Sequence, residues 1–563
     1  MDVRQLTAEC LSNALNKPVE EILPLIETPP DSKLGDLAFP CFSLSKEQKK
    51  APNIVAQELA QKLKLPEELE KATATGPYVN FFVKKAFWAE TVLKEVQEKK
   101  DLYGSSKKFK EKAAVEFAGP NTNKPLHLGH LRNIFLGQAI CKIIASQGFE
   151  AIPVNIVNDR GAHICKSMLA YQKWGDSVEP NKKGDHFVGD WYVKYAQEEK
   201  NHPEMEEEIR EMLRKWEESN PEVRSLWKKM NGWVLQGFAE TFKRINVQFD
   251  KEYYESDFYD KGKDLVEQGL KKGIFVKKHD GEIVAELEPF KLPNKIVLRS
   301  DGTTIYITQD MALARIRFGD YHMDRMIYVV ANEQNLHFQQ LFKILELLEF
   351  PFAEKCFHLS YGMVNLPDGK MKSREGTVID ADDILDEMEQ LAFEEIQERH
   401  KLEESSARKR AIQIGHSALR FFMLKYDSVK DIIFNPKESL SFEGETGPYV
   451  QYAHARICSI LRKYGESVNR DVDWNLLKEE SEIVKYLGRF SEVLQEAAEQ
   501  YRPHLIARYL LDLAQLLNEY YHKHPVISKD AELTKARVLL VDCVRQVLAN
   551  GLSLLGIAAP DEM

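Results

Sequence analysis

The stretch that decides the fold runs from Glu116 to Gly148 and reads EFAGPNTNKPLHLGHLRNIFLGQAICKIIASQG. The apolar run AAVEFA at 113–118 is typical of a short strand, and Gly119 with Pro120 breaks it. From about His127 the apolar residues recur at helical spacing, and Gly148 is placed to end that helix. The stretch therefore predicts a strand, a loop and a helix.

A second strand is expected directly after this helix, at 151–157 (AIPVNIV), and it is followed by Asn158 and Asp159. Strand, helix and strand in this order predict a right-handed βαβ unit, and so a nucleotide-binding α/β domain. Ligands of such sheets bind at the carboxyl ends of the strands. Residues 116–121 and 158–159 both fall at such ends, so we expect a binding site there.

His127 and His130 stand at the start of the predicted helix, with Gly129 between them. Residues three apart share one helix face, and the free N–H groups and positive dipole end of a helix N-terminus attract anions. Imidazole donors at this position suit a polyphosphate, and Gly129 lets a flat base lie against the backbone. Two half-buried histidines on an ordinary amphipathic helix would give the same pattern. No metal site is predicted, because no further ligands lie nearby at zinc-binding spacing.

Length and composition indicate a globular chain of several domains, with 563 residues of which 43% are hydrophobic. No apolar run is long enough to span a bilayer, and the first ten residues lack a signal-peptide core. Seven cysteines are scattered without a CxxC pair, which fits a reducing cytoplasm. The net charge of −11 neither supports nor excludes nucleic-acid binding, since local basic patches decide that question.

The middle of the chain predicts an insertion and then further strands. Residues 166–249 are helical in pattern and heavily charged, and we interpret them as part of an insertion between the two halves of the sheet. Strands are expected at 281–287 and 296–298 as a small hairpin, and at 303–308 before a helix at 310–318. The buried-type strand at 326–331 ends at the string ANEQNLH, again at a carboxyl end.

A second short string, GKMKSREG at 369–376, places Lys370, Lys372 and Arg374 in a loop bounded by glycines. Three cations in such a loop can contact phosphate oxygens as charge develops on a pyrophosphate leaving group. Surface loops contain many strings of this kind, so it is the order and distance after the histidine-bearing helix that give this one its weight.

These strings resemble a known family. PLHLGHLRN resembles the HIGH signature of class I aminoacyl-tRNA synthetases, and the longer VEFAGPNTNKPLHLGHLRN resembles the arginyl-tRNA synthetases in particular. GPYVQYAHAR is similar to the start of that family's helical anticodon-binding domain. GDLAFP and GPYVNFF resemble its extra N-terminal domain, which contacts the tRNA elbow. The resemblance covers nearly the whole chain and is densest at 113–161, 303–380 and 440–463.

The resemblance implies an α/β fold: a Rossmann-type parallel-sheet catalytic domain with an N-terminal α+β domain and an all-helical C-terminal anticodon-binding domain. The expected division has four parts. They are an N-terminal tRNA-contacting domain at 1–108, a catalytic domain at 109–380 with an insertion at about 166–300, a helical connective region at 381–440 and the anticodon-binding domain at 441–563.

The same resemblance implies roles for particular residues. An arginine site needs carboxylates for the guanidinium group. The resemblance puts Glu116, Tyr306 and Asp310 around that group, and Asn121 and Gln334 at the α-amino end. Each has a plainer interpretation, such as Tyr306 in the core or Asp310 as a helix N-cap. The implied ATP-binding residues are Gly129, His127, His130, Met363 and Val364.

The implied catalytic residues are His127, His130, Lys124, Lys370 and Lys372, acting with Mg²⁺ on the phosphates of ATP. The chain departs from the usual KMSKS pattern because its fourth position is Ser373. Some arginyl-tRNA synthetases share this departure and carry a lysine just before the HIGH motif. Lys124 holds that position here, and we infer that it supplies the missing positive charge.

The implied function is that of an arginine–tRNA ligase. Arginine and ATP give arginyl-adenylate and pyrophosphate, and the 2′-hydroxyl of the terminal adenosine of tRNA(Arg) then takes the arginyl group. The partners are tRNA(Arg), arginine and ATP without a membrane, and we expect a cytoplasmic monomer. Three alternatives stay open: a class I synthetase for cysteine or glutamate, a non-catalytic RNA-binding relative, and a nucleotidyltransferase with the same core.

Overall fold

A computed structural model describes residues 3–367, 379–399 and 402–563 of the chain. The expected phosphate-contacting loop with Lys370, Lys372 and Arg374 lies outside these described residues.

The N-terminal segment is a small α+β unit with its own core. Its three strands form an antiparallel sheet in which the third strand along the chain lies between the first and the second. Leu11, Phe39 and Phe81 are buried between this sheet and the helices. In chain order the elements are α1 (Val3–Leu15), α2 (Val19–Ile22), β1 (Leu37–Pro40), α3 (Phe42–Gln48), α4 (Pro52–Lys62), β2 (Leu69–Thr75), β3 (Tyr78–Val83) and α5 (Lys85–Lys99).

The next segment carries the central sheet. Its elements are β4 (Lys112–Glu116), α6 (Leu128–Ser146), β5 (Glu150–Val157), α7 (Ala162–Trp174), α8 (Gly184–Glu198), α9 (Met205–Glu217), α10 (Pro221–Arg244), β6 (Lys251–Tyr254), α11 (Glu255–Phe258), α12 (Lys263–Lys271), β7 (Phe275–Lys277), β8 (Ile283–Ala285), β9 (Lys295–Leu298), α13 (Tyr306–Tyr321), β10 (Arg325–Ala331), α14 (Asn335–Leu347) and β11 (Cys356–Tyr361).

Five of these strands form one parallel sheet in the order β11-β10-β4-β5-β6. After β4 the chain adds β5 and β6 on one side of it, and later adds β10 and β11 on the other side. The strand order therefore reverses between β4 and β10. Crevices at such a reversal, at the carboxyl ends of the strands, are where ligands bind in sheets of this kind. The predicted Rossmann-type parallel sheet is confirmed.

Helix α6 packs unusually close to the chain that leaves β4. A Cβ atom on Gly137 would lie 2.2 Å from the ring of Phe117, so only glycine fits at this crossing. Gln147 forms the C-cap of α6, and Gly148 follows in the left-handed region, with φ of 99°. This close packing brings the N-terminus of α6 next to the ends of β4 and β10.

The expected strand at 303–308 is wrong. Helix α13 begins at Tyr306, and of the preceding residues only Thr304 makes an isolated bridge, to Leu298. The β-branched residues favour a strand locally, but burial of Ile307 and of the following helix face outweighs that preference. The hydroxyl of Thr308 also donates to the carbonyl of Val297. As a consequence, Tyr306 and Asp310 lie one turn apart on the same helix face.

The expected insertion at about 166–300 is not one continuous insertion. Strand β6 falls inside it and pairs in parallel with β5, which makes it the edge strand of the central sheet. Its four residues, KEYY, are too few and too polar to give a strand pattern in the sequence. The segment is thereby divided into the helices α7–α10 before β6 and a small unit after it. That unit holds a three-stranded antiparallel sheet, β7-β8-β9, where a two-stranded hairpin was expected.

The C-terminal part of the described chain is mainly helical. The helix that contains the string GPYVQYAHAR begins at Gly447, where the Thr446 hydroxyl caps it by accepting from the Tyr449 N–H, 3.2 Å away. No helix among residues 3–367, 379–399 and 402–563 is long and apolar enough to cross a membrane. The elements are β12 (Val364–Asn365), α15 (Ala381–Arg399), α16 (Glu404–Leu424), β13 (Ile432–Ile433), α17 (Pro436–Ser439), α18 (Gly447–Tyr464), α19 (Ser481–Gly488), α20 (Phe490–Glu499), α21 (Pro503–Lys523) and α22 (Ala531–Leu554).

Candidate active site

An open cavity of about 950 Å³ lies at the carboxyl edge of the sheet, where the strand order reverses between β4 and β10. Lys124 precedes the cavity in the loop before α6 but is not among the residues that line it. Most of the predicted site residues do line it, namely Glu116, Asn121, His127, Gly129, His130, Tyr306, Asp310, Gln334, Met363 and Val364.

The loop after β4 shapes one wall of the cavity through a strained turn. Ala118 and Gly119 both adopt left-handed backbone, with φ of 78° and 59°. Two buried side chains hold this turn. The Oδ1 of Asn133 accepts from the Ala118 N–H at 2.6 Å, and the Oδ1 of Asn155 accepts from the Gly119 N–H at 3.1 Å. Strain that the surroundings hold in place is typical of functional sites. The turn brings Asn121 to the end of β5.

His127 and His130 cap the N-terminus of α6 together. The Nδ1 of His127 accepts from the Gly129 N–H at 3.1 Å, and the Nδ1 of His130 accepts from the His127 N–H at 3.1 Å. Because each Nδ1 is an acceptor, the neutral form of each ring carries its proton on Nε2. A Cβ on Gly129 would lie 3.0 Å from the His127 ring. A larger residue at position 129 would therefore crowd the ring that caps the helix.

Burial keeps both imidazoles neutral. It lowers the pKa of His127 to about 3 and the pKa of His130 well below its usual value, and the nearby Lys124 ammonium lowers both further. Burial also lowers the pKa of Lys124. At neutral pH the two histidines are therefore donors through Nε2–H rather than cations.

Two residues of the string HLRN, directly after the histidines, hold the far wall of the cavity. The Nδ2 of Asn133 donates to the Val329 carbonyl at 2.6 Å, which ties α6 to β10. The buried guanidinium of Arg132 donates to the carbonyls of Gly362, at 2.5 Å, and Met363, at 3.3 Å. Its second amino group donates to two carbonyls in the chain at 428–430. The string therefore positions the predicted ATP-binding segment as well as the histidines.

Helix α13 presents a carboxylate and an aromatic ring to the cavity. The Asp310 Oδ2 lies 2.7 Å from the Nε2 of His337 on α14. The Tyr306 ring, one turn earlier, is exposed to the cavity. The plainer interpretation of Tyr306 as a core residue is therefore wrong. Asp310 lies within α13 and does not cap it, since Ile305 holds that position.

The other predicted carboxylate, Glu116, already has a cationic partner in the protein. Its Oε2 forms an ion pair with the fully buried guanidinium of Arg317, which also lies over the ring of Tyr253. Burial raises the pKa of Glu116, and the charge of Arg317 opposes that rise. Glu116 thus lines the cavity as one half of a buried pair.

A second buried acid lies behind Asp310. Burial raises the pKa of Glu255 to about 7, and the opposing charge of Arg160, 3.8 Å away, reduces that rise. The Arg160 guanidinium stacks 4.2 Å from the ring centroid of Tyr259. Glu255 does not line the cavity, but it is close enough to Asp310 for the two carboxyl groups to influence each other electrostatically.

Sequence reasoning missed Arg317 and Glu255 altogether, and neither stands in a recognisable string. His337 belongs to the string ANEQNLH, but it was not selected, although its Asp310 contact makes it part of the site. Asn133 belongs to the string around the histidines, and its place one helical turn after His130 was the available signal; the structure shows it to be buried.

The described residues contain two clusters with metal-ligating atoms close together, and neither lines the cavity. They are Asp185 with His186 and Asp382, and His454 with Cys458 and Asp561. In the second, the Nδ1 of His454 lies 2.9 Å from the Pro560 carbonyl, so this nitrogen carries a proton and cannot bind a metal.

Family models match three segments that together cover most of the chain. The catalytic-domain model of class I (R) tRNA synthetases matches residues 92–436, and the DALR anticodon-binding domain matches residues 450–563. The model of the arginyl-tRNA synthetase N-terminal domain matches residues 1–83.

Whole proteins match over similar lengths. The arginine–tRNA ligase of Treponema denticola is 44% identical and the match covers 98% of this chain and 97% of the other. The arginine–tRNA ligase of Bacteroides thetaiotaomicron is 43% identical over 94% of each. The solved structure of the Thermus thermophilus arginyl-tRNA synthetase superimposes with a TM-score of 0.84 and 30% identity over the full length of both chains.

Proposed function

Since the chain belongs to the class I arginyl-tRNA synthetases, we propose how its cavity performs the reaction of that family. The chain is an ATP-dependent arginine–tRNA ligase, which activates arginine as arginyl-adenylate, releases pyrophosphate, and charges tRNA(Arg). One observation carries the assignment of the site. A single cavity joins the capped N-terminus of α6, with its imidazole donors, to the carboxylate-bearing face of α13.

We assign the guanidinium of arginine to the end of the cavity formed by α13. Asp310 is the carboxylate that binds the guanidinium. The contact of its Oδ2 with the Nε2 of His337, at 2.7 Å, orients this carboxylate. The Tyr306 ring covers the guanidinium plane. Glu116, neutralised in part by Arg317, contributes from the sheet side. Asn121 and Gln334 also line the cavity, and we assign them to the α-amino group.

We assign the ATP phosphates to the N-terminus of α6. The Nε2–H groups of His127 and His130 donate to phosphate oxygens, next to the positive end of the helix dipole. Gly129 lets the nucleotide approach the helix backbone, and Met363 with Val364 lines the wall where the adenine ring lies. Lys124 adds a positive charge beside the ATP phosphates. Lys370 and Lys372, from the string GKMKSREG, also stabilise phosphate charge in this proposal.

In the first step, a carboxylate oxygen of arginine attacks the α-phosphorus, and the bond from that phosphorus to the pyrophosphate oxygen breaks. No side chain acts as a nucleophile, so the protein contributes positioning and stabilisation of phosphate charge. In the second step, the hydroxyl of the terminal adenosine of tRNA(Arg) attacks the arginyl carbonyl and AMP leaves.

Mg²⁺ enters, in this proposal, with ATP. In the part of the chain that the structure describes, the acidic residues that line the cavity are Glu116, Asp310 and Glu333, and we assign the first two to the arginine end. This donor set does not form an all-protein cage, and Mg²⁺ in nucleotide sites is held largely by substrate phosphates and water. When bound, the ion neutralises phosphate charge. The chain's own residues orient the phosphates and the carboxylate that attacks them.

The helical C-terminal part is the anticodon-binding side in this assignment. A second cavity, of about 940 Å³, lies between α15, α18 and α21, and its lining includes the half-buried Tyr449 and Arg456 and the exposed ring of Tyr452. Aromatic rings beside a guanidinium provide stacking surfaces for unpaired bases. The N-terminal segment contacts the tRNA elbow. We expect a monomer that acts in the cytoplasm, where the seven free cysteines remain reduced.

The test is ATP–pyrophosphate exchange with arginine, measured with and without tRNA(Arg). Cysteine and glutamate with their own tRNAs are the controls. Exchange that depends on arginine supports the assignment, and the tRNA-free reaction shows whether activation needs bound tRNA. Chelation of Mg²⁺ in the same assay tests the proposed ion. Folded protein that exchanges no pyrophosphate with arginine under either condition would refute the assignment.

A further inference from the structure

Helix α8 lies in the helical segment between β5 and β6, to which the reaction assigns no part. It nevertheless contacts the loop that carries the catalytic histidines. Gly189 of α8 lies directly against Pro125, and a Cβ at position 189 would be 2.8 Å from the Pro125 Cδ and 3.7 Å from the Lys124 Cα. The helix therefore packs on the chain two residues before His127.

A second contact runs through the start of α15. The backbone of His127 pairs with Asp380 in an isolated antiparallel bridge. The Leu128 N–H donates to the Ile379 carbonyl at 3.1 Å, and the Ala381 N–H donates to the Leu126 carbonyl at 2.8 Å. The position of the His127 backbone therefore depends on where the start of α15 is held.

His186 of α8 holds that start. Its Nδ1 lies 3.4 Å from the Oδ2 of Asp380, and its Nε2 lies 3.2 Å from the Oδ2 of Asp382. Only a charged imidazolium donates from both nitrogens. The hydrogen bond to Asp382 raises the pKa of His186, which favours the charged form. One side chain thus bridges two carboxylates on either side of Ala381.

Lys183, just before α8, completes the contact. Its ammonium lies 2.9 Å from Asp185, 2.7 Å from Asp382 and 2.6 Å from the hydroxyl of Thr241 on α10. Three acceptors satisfy its three N–H groups. Lys183 and His186 both pair with Asp382, and Lys183 also pairs with Asp185, so these side chains form an ion-pair network.

We propose that α8 is a positioning element for the catalytic histidine pair, and that His186 is a positioning residue that acts on His127 through Asp380. The two contacts of α8 hold the loop before α6 directly, through Gly189 on Pro125, and indirectly, through His186 on Asp380. Displacement of the His127 backbone would tilt the cap that orients both Nε2–H donors. This inference rests on the proposed function, since those donors serve arginine activation.

The first test replaces His186 and measures arginine activation. We expect His186→Ala to lower kcat of tRNA-dependent ATP–pyrophosphate exchange by about tenfold to a hundredfold, because small misplacements of catalytic groups cost rates of this order. The KM for arginine should stay within about threefold, since the arginine end is not displaced. His186→Gln keeps one donor and should recover part of kcat. His202→Ala, an exposed histidine beyond the end of α8, is the matched control.

The second test replaces Gly189. In Gly189→Ala the new methyl group must push Pro125 or α8 aside, and kcat should fall as in the His186 variant. Gly232→Ala on α10 is the matched control, because a Cβ there meets no atom within 4 Å. The pair keeps the inference testable even where His186→Ala fails to fold.

Hydrogen exchange supplies a readout that needs no activity. The Leu128 and Ala381 amides should exchange faster in His186→Ala than in the wild type, while amides in β4 stay unchanged. A lower kcat together with faster exchange at these two amides supports the inference. An unchanged kcat overturns it, even where the melting temperature falls, because the role would then be structural only. Activity in the wild type and both control variants shows that the proposed function itself holds.

Discussion

Replacement of Asp310 by asparagine should remove much of the preference for a positively charged substrate. Asparagine has the same shape, and its Oδ1 can still accept from the Nε2–H of His337, which lies 2.7 Å from Asp310 in the wild type. The substitution therefore deletes a charge while it keeps the local geometry.

The size of the effect follows from the environment of the carboxylate. A hydrogen bond to a charged group contributes about 1.5–3 kcal/mol, and a guanidinium can form two with one carboxylate. The Asp310 side chain is 29% exposed, so solvent weakens both bonds. A loss of about 2–3 kcal/mol is the reasonable expectation, which corresponds to a decrease of about 30- to 150-fold in kcat/KM for arginine.

The assay compares arginine with citrulline, its neutral urea analogue, in pyrophosphate exchange. Citrulline has no charge for Asp310 to bind, so its weak activity should change by less than about threefold. Asp320→Asn is the matched control. Asp320 lies on the same helix, pairs with Lys251 at 2.6 Å and does not line the cavity. An equal loss for arginine and citrulline would refute the role of Asp310 as the guanidinium ligand.

Three further predictions concern buried groups around the cavity. Glu116→Gln should lower the free energy of unfolding by about 3–5 kcal/mol in chemical denaturation, because it leaves the buried Arg317 guanidinium without its carboxylate. Addition of Arg317→Met should restore most of that stability, and no recovery would contradict the pairing. Glu255, with its pKa raised by burial from 4.5 to about 7, retains in the folded protein a proton that the unfolded chain loses. Loss of this proton by the unfolded chain should therefore lower the free energy of unfolding by about 3 kcal/mol as the pH rises from 4.5 to 7. Glu255→Gln should be the more stable protein at pH 8 and equal to the wild type below pH 4.5, and parallel stability curves would contradict this pKa. Gly137→Ala should lower the melting temperature through a loss of about 1–3 kcal/mol, because the added methyl group overlaps the Phe117 ring; an unchanged melting temperature would show that the ring moves freely.

Local patterns in the sequence predicted the part of the fold that consists of strong, continuous signals. The strand before the histidines, the amphipathic helix after them and the second strand appear within one or two residues of their expected bounds, as β4, α6 and β5. These elements bury nearly all of their apolar residues, so hydrophobic periodicity alone indicated them. Glu116, Asn121, His127 and His130 stand in or beside these elements, which is why the sequence also indicated a site at the strand ends.

Tertiary contacts decided what the local pattern could not. Strand β6 became part of the sheet because β5 offered it a pairing edge, although its four residues carry no clear strand signal. The segment TTIYIT became the start of a helix because a buried face outweighs β-propensity. That change placed Tyr306 and Asp310 on one helix face toward the cavity.

The sequence by itself determined the fold class, the order of the main elements and the motifs that stand around the candidate site. The tertiary structure alone decided the charge environment. Arg317 is separated from Glu116 by about 200 residues in the chain, yet the two form a buried pair. His186 comes to lie beside Asp380 in the same way. Electrostatic partners are set by distance and burial in space, and neither quantity can be read from the order of residues along the chain.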